Sequence, residues 1–355
     1  MFSKLTDGSG FLSLLLIPAV CLPGSAAEFV KVADFPDYGT WGATDWNGRI
    51  YVGFYTHQHG RDLPIYRSGV NDEKFEFVRM LGSGESLPEL FVSPDGKTLH
   101  ATTEGHSGPS QSPGMHWWTT DQENAMEWQS QSFSERTEYR WGIASLVHGN
   151  DMYMAFSGAR VGAKILKYEQ GEFKQFGPVV TPDEHSIVLE MQVFHDTPYA
   201  AGGLSTRWDK PDCGRVYRLN TSENKWESVF SHEDGLIGCS AIFDGKLWVG
   251  TVFGTKVYST KSGTDWKVAY DFNMKGSWPG PDAMTVHKNT LYVSCGNRDD
   301  IVKIIARPLG GEFKEVYSSN DYVNISAFVT RGEDLYAFGE KKEGGGMALK
   351  LLEKK

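Results

Sequence analysis

Apolar and aromatic residues fall in short runs along this chain, and a tight polar turn introduces each run. The pairing of turn and run appears as NGRIYVGFY (47–55), DGKTLHATT (95–103), GNDMYMAFS (149–157) and HDTPYAAGG (195–203). It continues as DGKLWVGTV (244–252), HKNTLYVSC (287–295) and RGEDLYAFG (331–339). Gly, Asn and Asp tolerate the positive φ of a two-residue hairpin, and the aromatic and branched residues that follow suit a pleated surface. The anchor residues are Tyr51, Leu99, Tyr153, Tyr199, Trp248, Tyr292 and Tyr336, at successive gaps of 48, 54, 46, 49, 44 and 44. A period of that length predicts a repeat architecture built from strands.

A second pattern follows each copy: a strand ending near Tyr, a polar turn, then an aromatic that opens another strand. Examples are IYRSGVNDEKFEFV (65–78), LKYEQGEFKQF (166–176) and VYRLNTSENKWESVF (216–230). The opening aromatics are Phe75, Trp128, Phe173, Trp226, Trp266 and Phe313, six where seven are required. Glu28-Phe29 supplies the seventh, because EFVKV matches EFKQF and EFKEV. The last unit, from Ser326 onward, has only three strands. The two ends of the chain are therefore expected to share one sheet, 326–355 plus 28–36, which leaves no open seam in the ring.

The pattern resembles a seven-bladed β-propeller and covers essentially all of 28–355, an all-β fold class. YRLNTSENKW looks like the outer hairpin of Kelch-type repeats. STKSGTDW (259–266) is similar to the Asp-box of sialidase-like propellers, with Lys261 where that motif has aspartate. The resemblance implies that the strands of each blade run from the axis outward. It transfers no activity, because these propellers host unrelated functions.

The composition agrees with this reading. The chain has 355 residues, 40 glycines and 13% aromatic residues, enough to build a large core as one all-β domain. Its net charge of −10 argues against nucleic acid as a partner, since phosphate binding needs clustered Lys and Arg. FLSLLLIPAV (11–20) is too short to span a bilayer and reads as the core of a secretory signal, with cleavage after Ala27. We therefore expect 1–27 to be a signal peptide, the chain to be secreted or periplasmic, and no membrane span to remain. Cys213, Cys239 and Cys295 then allow at most one internal disulfide. Neither GxGxxG nor GxxxxGK[ST] occurs, which argues against nucleotide-dependent chemistry.

Candidate chemistry collects in the longer connections, all assigned to one face of the disc: YTHQHGRDLP (55–64), TEGHSGPSQSPGMHWW (103–118), SERTEYRWG (134–142), PDEHS (182–186), STRWDKPDCGR (205–215) and GNRDD (296–300). His57 and His59 share one side of an extended strand. With His106 they could hold a divalent metal, or simply be hydrogen-bonded loop residues. Arg140, Arg207, Arg160 and Arg298 could capture a carboxylate or sulfate, and Tyr139, Trp141 and Trp208 offer faces for a sugar ring. His116 belongs to the same face, whereas His148, His195 and His287 fall in the opposite turns as exposed residues. Asn220 and Asn324 begin glycosylation sequons.

These residue types suit an anionic polysaccharide. A lyase must neutralise a uronate carboxylate, take the C5 proton and protonate the leaving oxygen. Polysaccharide lyases built on seven-bladed propellers are similar in kind. The expected assignment gives Arg140 and Arg207 to the acidic group, and Tyr139 with His57, His59, His106 or His185 to proton transfer. A hydrolase would need paired carboxylates, for which Glu104 and Asp209 stand nearest. A non-catalytic glycan- or protein-binding propeller is the alternative.

Overall fold

The computed structural model describes residues 28–352 apart from 37, 57–60, 71, 85, 88, 104–115, 133–140, 159–161, 170, 182–185, 205–212, 234, 277–278 and 298–300. The expected leader, 1–27, lies outside the described residues.

The described residues form 28 strands in seven four-stranded antiparallel sheets. The first sheet in chain order comprises β2 (Gly39–Trp46), β3 (Arg49–Tyr55), β4 (Arg61–Ser68) and β5 (Phe75–Gly84), after β1 (Glu28–Phe35). The second has β6 (Leu90–Val92), β7 (Leu99–Thr103), β8 (His116–Thr120) and β9 (Gln129–Ser132). The third has β10 (Trp141–His148), β11 (Asp151–Gly158), β12 (Gly162–Glu169) and β13 (Glu172–Gln175). The fourth has β14 (Ser186–Phe194), β15 (Thr197–Leu204), β16 (Cys213–Asn220) and β17 (Lys225–His232). The fifth has β18 (Leu236–Phe243), β19 (Lys246–Val252), β20 (Lys256–Thr260) and β21 (Lys267–Asp271). The sixth has β22 (Gly280–His287), β23 (Thr290–Gly296), β24 (Val302–Pro308) and β25 (Lys314–Ser319). The seventh orders β26 (Tyr322–Arg331), β27 (Asp334–Lys341) and β28 (Gly346–Leu352), with β1 outermost beside β28. Glu28 pairs with Leu352 and Phe35 with Gly346.

The core lies between the sheets. Seven clusters of buried side chains fill the seams, one at each junction between neighbouring blades. The junction of the seventh blade with the first is filled like the rest, by Phe35, Ile50, Val52, Phe54, Val329, Tyr336 and Phe338. That continuity makes a closed ring. Around it the inner strands β2, β10, β14, β18, β22 and β26 pack against inner neighbours. Blades 2 and 3 are joined by Phe91 and Trp117 against Met152, Met154 and Phe156.

The anchor aromatics stand at these seams, several with a cation directly across the sheet. Tyr51 pairs with Arg67, Tyr153 with Lys167, Tyr199 with Arg218 and Tyr336 with Lys350. Lys350 lies 5.5 Å from the Tyr336 ring centroid and Lys167 lies 5.9 Å from that of Tyr153. Arg331 adds a tie between blades 7 and 1: it donates to Ser68 Oγ at 2.9 Å, to the Asp72 carbonyl at 2.9 Å and to Tyr336 Oη at 2.6 Å. A buried guanidinium satisfied in this way pins a seam without leaving an orphan charge.

Candidate functional site

In an antiparallel sheet whose strands follow chain order, the connection from second to third strand leaves at one end. The link to the next sheet leaves at that same end. The long connections singled out from the sequence therefore depart from strand ends on one face of the ring. His57, His59, Glu104, His106, Tyr139, Arg140, Arg160, His185, Arg207, Trp208, Asp209 and Arg298 themselves lie outside the described residues. Of Trp141 the structure describes the backbone, which opens β10 opposite Ser157. His116 opens β8, half-buried, its ring tilted on Trp118 at 5.9 Å. Its buried Nδ1 has no hydrogen-bond partner among the described residues.

On the same face the structure brings together residues that the sequence pattern passed over. Trp41 sits in a bulge of β2: Thr40 pairs with Phe54 and Ala43 with Val52, leaving Trp41 and Gly42 opposite Gly53. It is 39% exposed although it belongs to an innermost strand. Its ring meets Tyr55 edge-on, with centroids 5.1 Å apart and planes at 82°. Tyr55 Oη donates to Glu340 Oε2, and the Glu340 backbone N–H donates to Asn324 Oδ1 at 3.2 Å. Gly39 makes room for the Tyr55 ring, because a Cβ there would run into it.

The bulge recurs at the same register around the ring. β10, β14, β18, β22 and β26 slip by one residue at Ile143, Leu189, Gly238, Asp282 and Ser326. An extra residue kinks an inner strand and re-aims the neighbouring side chains, as bulges do near barrel rims and sites.

Acidic side chains lie at or beside this register in alternate blades. Glu89 accepts from Ser145 Oγ at 2.6 Å, and Glu190 accepts from Ser240 Oγ at 2.9 Å. Burial pushes Glu190 up to about 8, partly offset by the Ser240 hydroxyl, and pushes Asp282 up to about 8 against the Gly296 N–H. Both side chains keep partial solvent access, which moderates these shifts. Between them, burial raises the Cys239 thiol well above its ordinary value, with the Glu190 and Asp282 carboxyls adding to the effect. Cys295 is raised in the same way. Neither thiol is a thiolate nucleophile.

Cys213, Cys239 and Cys295 are free, within the limit of at most one disulfide, and Cys239 donates to the Pro281 carbonyl at 3.6 Å. One expectation needs correction. His287 is buried, not exposed: it ends inner strand β22 and its Nδ1 lies 3.3 Å from Thr330 Oγ1 of the next blade. Asn324 occupies inner strand β26, where its side chain accepts from Glu340, a poor position for a glycan. His100, which carried no expectation, is a core residue pushed down to about 4 by burial, its Nδ1 accepting from Trp117 Nε1 at 3.0 Å. Among the described residues no three His, Cys, Asp or Glu side chains converge to hold a metal.

At the opposite face a cavity of about 360 Å³ is lined by Arg49, Arg67, Gln122, Glu123 and Asn124. Arg67 is committed to Glu76 and to the Asn124 carbonyl, and Arg49 donates to the Ser68 carbonyl at 3.2 Å. Arg67 thus ties blade 1 to blade 2, and Arg49 braces blade 1 itself.

No protein-family model matches the chain, and no curated protein matches it. Among solved structures it is similar to hydrazine synthase of Kuenenia stuttgartiensis, with 14% sequence identity and a TM-score of 0.60. That match covers 87% of this chain and 94% of the other. As many as 1093 solved chains match, so the likeness concerns backbone shape and carries no chemistry across. Seven four-stranded sheets, seven filled seams and this shared shape make the chain a seven-bladed β-propeller.

Proposed function

We propose that this chain is a secreted carbohydrate-active propeller that engages an anionic polysaccharide on the face where the long connections emerge, and cleaves it by β-elimination or hydrolysis. One observation carries the reading. The strands flanking the His-, Arg- and Tyr-bearing segments end on the face where Trp41, over the Tyr55–Glu340 pair, stands open to solvent. Loops on a rigid scaffold are where binding residues collect, and an open aromatic beside them suits a sugar.

In this reading Arg140 and Arg207 neutralise the uronate carboxylate, and Tyr139 with His57, His59, His106 or His185 moves the proton. Trp208 and Trp141 extend the sugar contact with Arg160 and Arg298, and Glu104 with Asp209 supplies the hydrolytic pair. A divalent metal on His57, His59 and His106 would assist carboxylate neutralisation. Secretion is supported by the apolar run at 11–20 followed by small residues before Glu28.

A second reading, a propeller that binds a glycan without cleaving it, is favoured by Trp41 and Tyr55 themselves. Aromatic contact needs no shifted pKa. Incubating the full chain with uronic-acid polysaccharides separates the readings. A lyase raises ultraviolet absorbance through its new C4=C5 double bond, and a hydrolase yields reducing ends without that rise. His106→Ala and Arg140→Ala should each lower turnover by about 100-fold or more. Binding without either product leaves the binder, and neither binding nor product ends the polysaccharide reading.

A further inference from the structure

We propose that Trp41 is the stacking platform of a sugar subsite at the axial mouth of this face, taking the apolar C–H face of a pyranose ring. The inference rests on the polysaccharide reading above and assigns to it a residue in the described part of the fold.

An indole is large and mostly apolar, and this ring buries several of them. Trp46 on the same strand, Trp117 on a third strand and Trp248 on a second strand are 2%, 4% and 1% exposed. Trp41 is the one described tryptophan among the exposed large apolar residues. The corresponding bulge positions of other blades hold Ile143, Leu189, Gly238, Asp282 and Ser326, so blade 1 alone presents an aromatic ring there. The seventh-blade contact cannot explain this exposure, since it is made by the neighbouring residue. Thr40 is fully buried, its Oγ1 donates to the Gly339 carbonyl at 2.8 Å, and its own carbonyl accepts from Ser326 Oγ at 2.7 Å.

Those bonds fix the backbone that carries the indole. Tyr55 then braces the ring edge-on and is itself held by Glu340 through its hydroxyl. A platform whose orientation is set before binding loses little conformational entropy when a ligand arrives. The π face of an indole carries partial negative charge, and the C–H groups on one face of a pyranose present partial positive charge to it. The contact leaves the substituents at the ring edge, carboxylate included, free of the indole.

The test uses the full chain and oligomers of galacturonate, glucuronate and mannuronate, with affinity read by calorimetry. Trp41→Ala should weaken binding at least about tenfold, whereas Trp41→Phe should stay within about threefold of the parent. Leu309→Ala, which removes an exposed apolar side chain from an outer turn of blade 6, should leave affinity unchanged. In the unmodified chain, bound oligomer should protect Trp41 from oxidation by N-bromosuccinimide, a readout that needs no variant to fold. Equal affinity in Trp41→Ala, or oxidation of Trp41 at the same rate with and without bound oligomer, overturns the platform while leaving the polysaccharide reading intact. A parent chain that binds none of the oligomers overturns both.

Discussion

Glu190 and Asp282 show how a single residue can take its character from the ring. Each sits on an inner strand, enclosed by neighbouring blades, with a carboxyl pushed up to about 8. Because the folded pKa exceeds the unfolded one, the folded state holds the proton more tightly. The associated stability is therefore full below about pH 4 and falls as pH rises toward 8. Glu190→Gln cannot ionise, so its unfolding free energy should lose less between pH 5 and pH 8 than the parent's, by about 1–3 kcal/mol. Urea titrations at four pH values measure this, and parallel curves for parent and variant would rule the assignment out. Nothing in the string around Glu190, IVLEMQV, announces a protonated carboxyl. Its partner Ser240 lies 50 residues away, and the burial comes from other blades. Trp41 was equally illegible: nothing in GTWGATDW marks the slip between Thr40 and Ala43 where the exposed indole sits.

At the scale of the element, the hairpins were readable because their determinants are near neighbours in the chain. Asn47-Gly48 and Asp244-Gly245 adopt positive φ at both positions, 54° and 71°, then 53° and 63°, as the turn type demands. The bulges were not readable, because a slip of register involves two strands and the seam beyond them. They leave a trace in the second strands as glycines. A Cβ on Gly339 would strike the Asn324 carbonyl of β26, and one on Gly202 would strike the Ile187 carbonyl of β14. Gly339→Ala should cost about 1–3 kcal/mol, read as a lower denaturant midpoint with an unchanged slope. A midpoint equal to the parent's would show that the bulged backbone yields without strain. The cations opposite Tyr51, Tyr153, Tyr199 and Tyr336 fall in this class too. Arg67, Lys167, Arg218 and Lys350 were visible only as polar residues in third strands until the register set them against rings.

For the whole molecule, the decisive joint is the sheet that holds both ends of the described chain. Phe29 packs on Tyr317 and Tyr292 of blade 6, and Phe35 packs on Phe54, Tyr66 and Phe75 of blade 1. One short strand thus completes two seams. Removing 28–35 would expose both phenylalanine pockets and the edge of β28, at a cost of about 5 kcal/mol from the lost side-chain burial alone. Such a chain should unfold at a clearly lower temperature, and a peptide spanning 28–36 added in trans should restore part of the loss. A truncated chain with the parent's midpoint would mean that β1 is dispensable. Blade number, strand order and the outermost place of EFVKV were all legible beforehand, since turn chemistry and the spacing of anchor aromatics are properties of short stretches of chain. The tertiary structure alone decided which residues meet across a seam: Tyr55 with Glu340, 285 positions apart, Arg331 with Ser68, and Thr330 with His287. Burial, shifted protonation and the exposure of Trp41 belong to neighbours in space, and closing seven blades into a ring is what makes those neighbours.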